Sequence, residues 1–147
     1  MGSLTGPTPN DLLTVNHDHR GATVVVRATG EVDLFTAHIL ECALSAACAK
    51  VKGTPGMVVV DLSGVHFAGI IGLRLLQETH QWCQRHNIPL RIVGTNPAVL
   101  ALFRAAGTNC RFHLCATIDD ALRTDPLNPP AIQAVPRQLR KHVPKGR

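Results

Sequence analysis

The chain is short of aromatic residues. Only 3% of its 147 residues are Phe, Trp or Tyr, tyrosine is absent, and Trp82 is the single tryptophan. With hydrophobic residues at 45%, the core must be aliphatic, built from Val, Ile, Leu and Ala. The same scarcity argues against a surface that stacks successive bases of a nucleic-acid strand. Long apolar runs are missing too. None approaches the roughly 20 residues needed to span a bilayer, so no membrane span is expected. The N-terminus has no basic stretch followed by an apolar one, so no secretory leader is expected. The five cysteines (Cys42, Cys48, Cys83, Cys110 and Cys115) are odd in number and contain no CxxC. These features together suit a cytoplasmic protein with reduced thiols.

Excess charge of one sign is absent from most of the chain. Ten of the 15 Lys/Arg and all ten Asp/Glu lie within residues 1–125. The formal charge of +5 therefore belongs to Arg137, Arg140, Lys141, Lys145 and Arg147. The balanced part gives no electrostatic footprint for nucleic acid. Catalytic patterns are equally sparse. No nucleophile–His–acid set, phosphate loop or pair of carboxylates stands out, which argues against an enzyme and gives no cue for a cofactor. His80, Cys83 and His86 are three apart on a helical stretch, but the third rotates off the shared face and no fourth ligand is apparent, so no metal is expected. Asp61 follows an apolar strand, as in a phospho-receiver. The acidic pair and later lysine of a receiver are lacking, and Asp61 is better read as capping nearby loop amides.

What is present is an alternation of short apolar strands and amphipathic helices. Residues 1–10 are rich in Gly, Pro and Thr and are expected to be flexible. Residues 12–15 and 22–29 read as a hairpin around a turn at 17–21. Residues 35–51 carry Phe35, Ile39, Ala43, Leu44, Ala47 and Val51 at helical spacing, with Asp33 or Thr36 as caps. Residues 57–60 are continuously apolar, as in a strand covered on both faces, and a loop follows. A second helix spans 70–86 and a buried strand 90–93. Pro97 opens a third helix that Gly107 stops. A last strand at 111–114 precedes a short helix capped by Thr117, with Asp119 and Asp120 favouring its N-terminal dipole. The order ββαβαβαβα predicts a single α/β domain over 11–125, a mixed sheet faced by helices. Residues 126–147 carry Pro126, Pro129, Pro130, Pro136 and Pro144 among the basic residues. They read as a disordered, basic, Pro-rich tail.

At VVVDLSGVHF (58–67) the chain resembles the STAS domain of anti-sigma factor antagonists. GEVD (30–33) is similar to that family's turn before its first helix. Gly72-Leu73 matches the start of its second helix, residues 88–93 its fourth strand, and Asn96-Pro97-Ala98-Val99 through Ala106-Gly107 its following helix. The likeness covers about residues 12–124. It implies a regulator that binds an anti-sigma factor, often a GHKL-type kinase, and thereby frees a sigma factor. It also implies a partner surface of Asp33, Ser63, Gly64, His66, Gly69, Ile70, Ile71 and Leu73. A homodimer is a further partner reading. The alternative role is a non-switching STAS scaffold in a multi-protein or transporter-linked complex without a sigma factor.

One departure bears on mechanism. The family pattern at the second helix is D-S-[ST]-G-L, and its serine is the phosphoacceptor in regulated members. This chain has Gly69-Ile70-Ile71-Gly72-Leu73 there. Isoleucine has no hydroxyl, so phosphorylation is not expected at Ile70, and Ser63 matches a loop position that is not the acceptor. Adjacent helical positions point about 100° apart, so one isoleucine can pack inward while the other faces solvent. Regulation by thiol oxidation is a further reading. Cys110 and Cys115 flank a short strand and could pair, Cys42 and Cys48 cannot face each other on one helix, and Cys83 could meet another cysteine only through the fold.

Overall fold

The computed structural model describes residues 8–107 and 112–123. A single helical turn, α1 (Pro9–Leu12), leads into β1 (Leu13–Arg20) and β2 (Thr23–Val32). There follow α2 (Ala37–Val51), β3 (Val58–Ala68), α3 (Ile70–Arg85), β4 (Leu90–Val93), α4 (Pro97–Ala106), β5 (His113–Cys115) and α5 (Ile118–Arg123). The predicted alternation is borne out, with α1 added at its start.

The five strands lie in sequence order β1-β2-β3-β4-β5. β1 is antiparallel to β2, and the other neighbours are parallel. Right-handed crossovers between adjacent parallel strands deliver their helices to one face. α2, α3 and α4 accordingly cover the face where Val24, Val26, Val58, Val60 and Ile92 meet Leu40, Leu44, Leu76 and Phe103. Val25, Val59, Val93 and Cys115 point to the other face, where Ala121, Ile118 and Leu122 of α5 lie over them. This two-sided cover explains why 57–60 shows no polar alternation.

Two expectations need correction. The segment 17–21 is not a turn. β1 runs on to Arg20, pairing His17, Asp18 and His19 with Val26, Val25 and Val24. Its polar side chains suit the open side of an edge strand, where Asp18 meets Arg20 at 3.1 Å and Arg27 at 3.8 Å. The reversal is left to Gly21 and Ala22, with Gly21 at φ +64°.

The stretch after 57–60 is likewise strand rather than loop. β3 continues to Ala68 beside β2, which runs on to Val32, with its register to β2 shifted twice. Asp61 pairs with Arg27 but Gly64 with Thr29, and Val65 pairs with Gly30 but Phe67 with Glu31. Each shift inserts one extra residue into β3, which is a β-bulge. Past β4 the carbonyls of Leu62 and Val65 have no neighbouring strand, and the Asn96 side-chain amide donates to both. The Asn96-Pro97 start of α4 is thereby tied to the bulged half of β3. Gly30, in the GEVD turn, sits at φ +120°, and a Cβ there would fall 2.0 Å from the Leu12 carbonyl oxygen. Only glycine fits that position.

Candidate functional site

The turn between β2 and α2 is built by Asp33 and Thr36. The Asp33 carboxylate accepts from the backbone N–H groups of Phe35 at 2.9 Å and Thr36 at 3.1 Å. The Asp33 N–H donates to the Thr36 hydroxyl oxygen at 3.0 Å, and that hydroxyl donates to the Glu31 carbonyl at 2.8 Å. The network satisfies polar groups at the helix start and delays α2 until Ala37. Phe35 is therefore not the first apolar residue of the helix, as its spacing predicted. It stands in the turn at 51% exposure, beside Leu34 at 83%.

Opposite lies the start of α3. Gly69 is its N-cap and gives it no side-chain cap. The Gly69 N–H instead donates to the Val32 carbonyl at 2.9 Å, fastening this start to the end of β2. Gly72 presses against the same place, since a Cβ on it would lie 3.1 Å from Val32 Cγ1. Ile70 then projects into solvent at 75% exposure, while Ile71 is partly buried and packs on the core. The two neighbours divide as helical geometry allows.

Phe67 completes the surface. The second bulge sets it opposite Glu31 and turns it outward, whereas Val65 and Ala68 turn toward the helices. Between these walls runs a groove of about 660 Å³ lined by Asp33, Leu34, Phe35, Phe67, Gly69, Ile70, Ile71 and Arg74. Leu34, Phe35, Phe67 and Ile70 are the exposed large hydrophobic residues among the described residues, and all four line this groove. Such residues scattered singly are ordinary; four sharing one groove form a patch of the kind that marks interaction sites.

Of the eight residues expected at a partner surface, Asp33, Gly69, Ile70 and Ile71 come together here. Ser63 and Gly64 lie farther back on β3, outside the groove lining, and Ser63 donates from its N–H and hydroxyl to Asp61 at 3.0 and 2.6 Å. Asp61 thus caps a backbone amide, as expected of it. His66 is exposed beside Glu31 at 3.4 Å, and Leu73 is buried in the core. Leu34, Phe35, Phe67 and Arg74 were not anticipated. Leu34-Phe35 directly after a capping Asp was the available signal.

The cysteines are also rearranged. Cys110 lies outside the described residues, and Cys115 is buried. The close contact joins two other thiols, Cys48 on α2 and Cys83 on α3, whose sulfurs are 3.7 Å apart. Among the described residues, no three His, Cys, Asp or Glu side chains cluster as a metal site. Nor is any helix there long and apolar enough to cross a membrane.

The family model of the STAS domain matches residues 14–121. The chain belongs to the STAS domain family. This STAS domain is 31% identical to the anti-sigma-F factor antagonist RsfB of Mycobacterium tuberculosis over 114 residues, 78% of this chain and 89% of that protein. Against the anti-sigma-F factor antagonist RsfA of the same organism it is 28% identical over 121 residues, 82% of this chain and 93% of that one. The crystal structure of an anti-sigma factor antagonist from Mycobacterium paratuberculosis superimposes with a TM-score of 0.67 at 32% identity, covering 79% of this chain and 96% of that one. The mixed sheet and helix order of this STAS domain are those of its relatives.

Proposed function

We propose that this STAS domain is an anti-sigma factor antagonist that works by binding, not catalysis, in the cytoplasm. Its partner is an anti-sigma factor, of the GHKL kinase-like type. The carrying observation is the apolar groove at the start of α3, formed by Leu34, Phe35, Phe67 and Ile70 with Asp33 and Arg74 at its rim. Fully burying one such side chain contributes roughly 1.5–3 kcal/mol before the costs of association. The names of the relatives support the same reading.

In this reading the interface is not switched by serine phosphorylation at the usual place. Ile70 offers no hydroxyl there and adds apolar area instead. A phosphate at this point would oppose docking by charge and desolvation. This chain would stay competent to dock where a phosphorylatable relative is shut off. The expected basic tail, 126–147, lies outside the described residues.

The test is titration calorimetry of the full chain against each GHKL-type anti-sigma factor of the source genome, followed by incubation with ATP. Saturable binding that persists after the ATP incubation, with residues 69–72 unmodified by mass spectrometry, is the expected result. Failure to bind any of them would sink the reading and favour the scaffold role. A phosphosite within 69–72 would overturn the unswitched mechanism.

A further inference from the structure

The contact between Cys48 and Cys83 is independent of the docking groove. The two residues sit near the far ends of α2 and α3, and both are buried. Their sulfurs are 3.7 Å apart, within hydrogen-bond reach. A disulfide needs about 2.05 Å, so a closure of about 1.7 Å would join them.

The site is also accessible. Cys48 lines a pocket of about 400 Å³ between the two helices, with Ser45, Glu78, Thr79 and Trp82 around it. Cys83 lines a second pocket, about 440 Å³, on the other side of the contact. Both cavities are large beside a small peroxide, which occupies little more than the ~30 Å³ share of a water molecule.

The thiols are not equivalent. The hydrogen bond with Cys83 lowers the Cys48 thiol from its usual value, although burial works against this. The same hydrogen bond, together with burial and the neighbouring sulfur, pushes Cys83 up. Cys48 is the more exposed of the two, at 6% against 1%, and it lines the pocket between the helices, so it is the first to meet an oxidant. Two inert buried cysteines, behaving as small hydrophobes, need neither sulfur-to-sulfur alignment nor a pocket leading to one of them.

We propose that Cys48 and Cys83 are a reversible dithiol–disulfide site, oxidised by small hydroperoxides that enter between α2 and α3. The Cys48 thiolate attacks the terminal peroxide oxygen, so that an S–O bond forms and the O–O bond breaks. The departing alkoxide takes up the proton lost by Cys48 and leaves as the alcohol, or as water when the oxidant is hydrogen peroxide. The Cys83 sulfur then attacks the Cys48 sulfenic sulfur. The S–S bond forms, the S–O bond breaks, and the leaving hydroxide takes the Cys83 proton as water. The two thiols together lose two electrons, and the peroxide gains them. A cellular dithiol reverses the change by exchange.

The experiment uses the full chain carrying Cys42→Ser, in which tryptic fragments 28–50 and 75–85 each keep one cysteine. The reduced, folded protein is treated with hydrogen peroxide, alkylated and digested without reductant. The expected result is a cross-link between these two fragments, removed by dithiothreitol, with both thiols lost to alkylation. Continued alkylation of Cys48 and Cys83, or a cross-link only to Cys110 or Cys115, would overturn the proposal. A second arm uses Cys83→Ser, checked for folding by circular dichroism. With no second thiol present, dimedone should trap the sulfenic acid on Cys48. A folded variant that gives no adduct would overturn the assignment of Cys48 as the attacking sulfur.

Discussion

The two ends of the α2–α3 layer are built on opposite plans. At one end, large apolar side chains stand in solvent. At the other, two polarisable thiols are buried against each other. The difference comes from what governs the backbone at each end. Near the groove, Asp33 and Thr36 hold the chain by polar bonds, and Gly69 and Gly72 bring it close to Val32. Leu34, Phe35 and Ile70 are therefore not needed for packing and are left outside. At the far end the seam holds Ala47, Cys48 and Cys83, with Trp82 partly buried against the core. Local polar structure can thus leave apolar area exposed, whereas small side chains at a helix seam let two sulfurs meet.

The sharpest way to break this comparison is at Ile70. Ile70→Glu should weaken binding to the anti-sigma partner by about 100-fold, as an interfacial hot-spot truncation of roughly 3 kcal/mol does. Folding stability should change by no more than about 0.5 kcal/mol, because the side chain is mostly exposed. Titration calorimetry and urea denaturation read the two quantities separately. Equal binding by this variant would remove Ile70 from the interface.

Next in size is Asn96→Ala. It strips the Leu62 and Val65 carbonyls of their shared donor and should cost about 2 kcal/mol in urea unfolding. Its effect should fall on the bulged half of β3, seen as faster amide exchange over 62–68 than over 58–60. Uniform exchange along the strand would show that Asn96 does not hold that half in place.

Asp33→Ala tests the polar hold itself. Losing the acceptor of two backbone N–H groups should cost about 1 kcal/mol and loosen the Leu34–Phe35 wall. Asp33→Asn, which keeps an oxygen acceptor, should recover most of that stability in thermal melts.

The smallest effect is a pH dependence. Desolvation, the largest cause in each case, lowers the pKa values of His17, His80 and His113 in the folded state. The unfolded chain then binds more protons near its ordinary histidine pKa of about 6.5. This contribution to stability is complete above that pH and is lost as pH falls through the lower folded values. Urea midpoints should drop between about pH 7.5 and pH 5.5, and a flat profile would contradict it.

Much of the fold was legible because period and punctuation agreed. The apolar run in β4, Pro97 at the start of α4 and Thr117 before α5 all stand where the residues indicated, with Asp120 N–H on the Thr117 hydroxyl at 3.1 Å. The second half of β3 was not legible. Ser63-Gly64 looks like a turn, and only pairing with β2 shows that the strand continues through it. The same pairing sets the direction of Phe67, so half the groove was hidden. Asp33 and Ile70 could be singled out because a motif and its departure pointed to them. Cys48 and Cys83 could not, since no local spacing reports on residues that meet only when two helices pack across a sheet.

The second bulge has a consequence of its own. In a pleated strand, inside and outside are assigned by counting, and His66 is the added count that reverses Phe67. Were His66 paired in the ladder instead of bulged, Phe67 would stand an even count from Val65 and point with it toward the core, without any change to the aromatic ring itself. The apolar face of the groove therefore depends on the register of β3 as well as on its composition. A slip of one residue in that pairing would redraw the face more thoroughly than most substitutions on it.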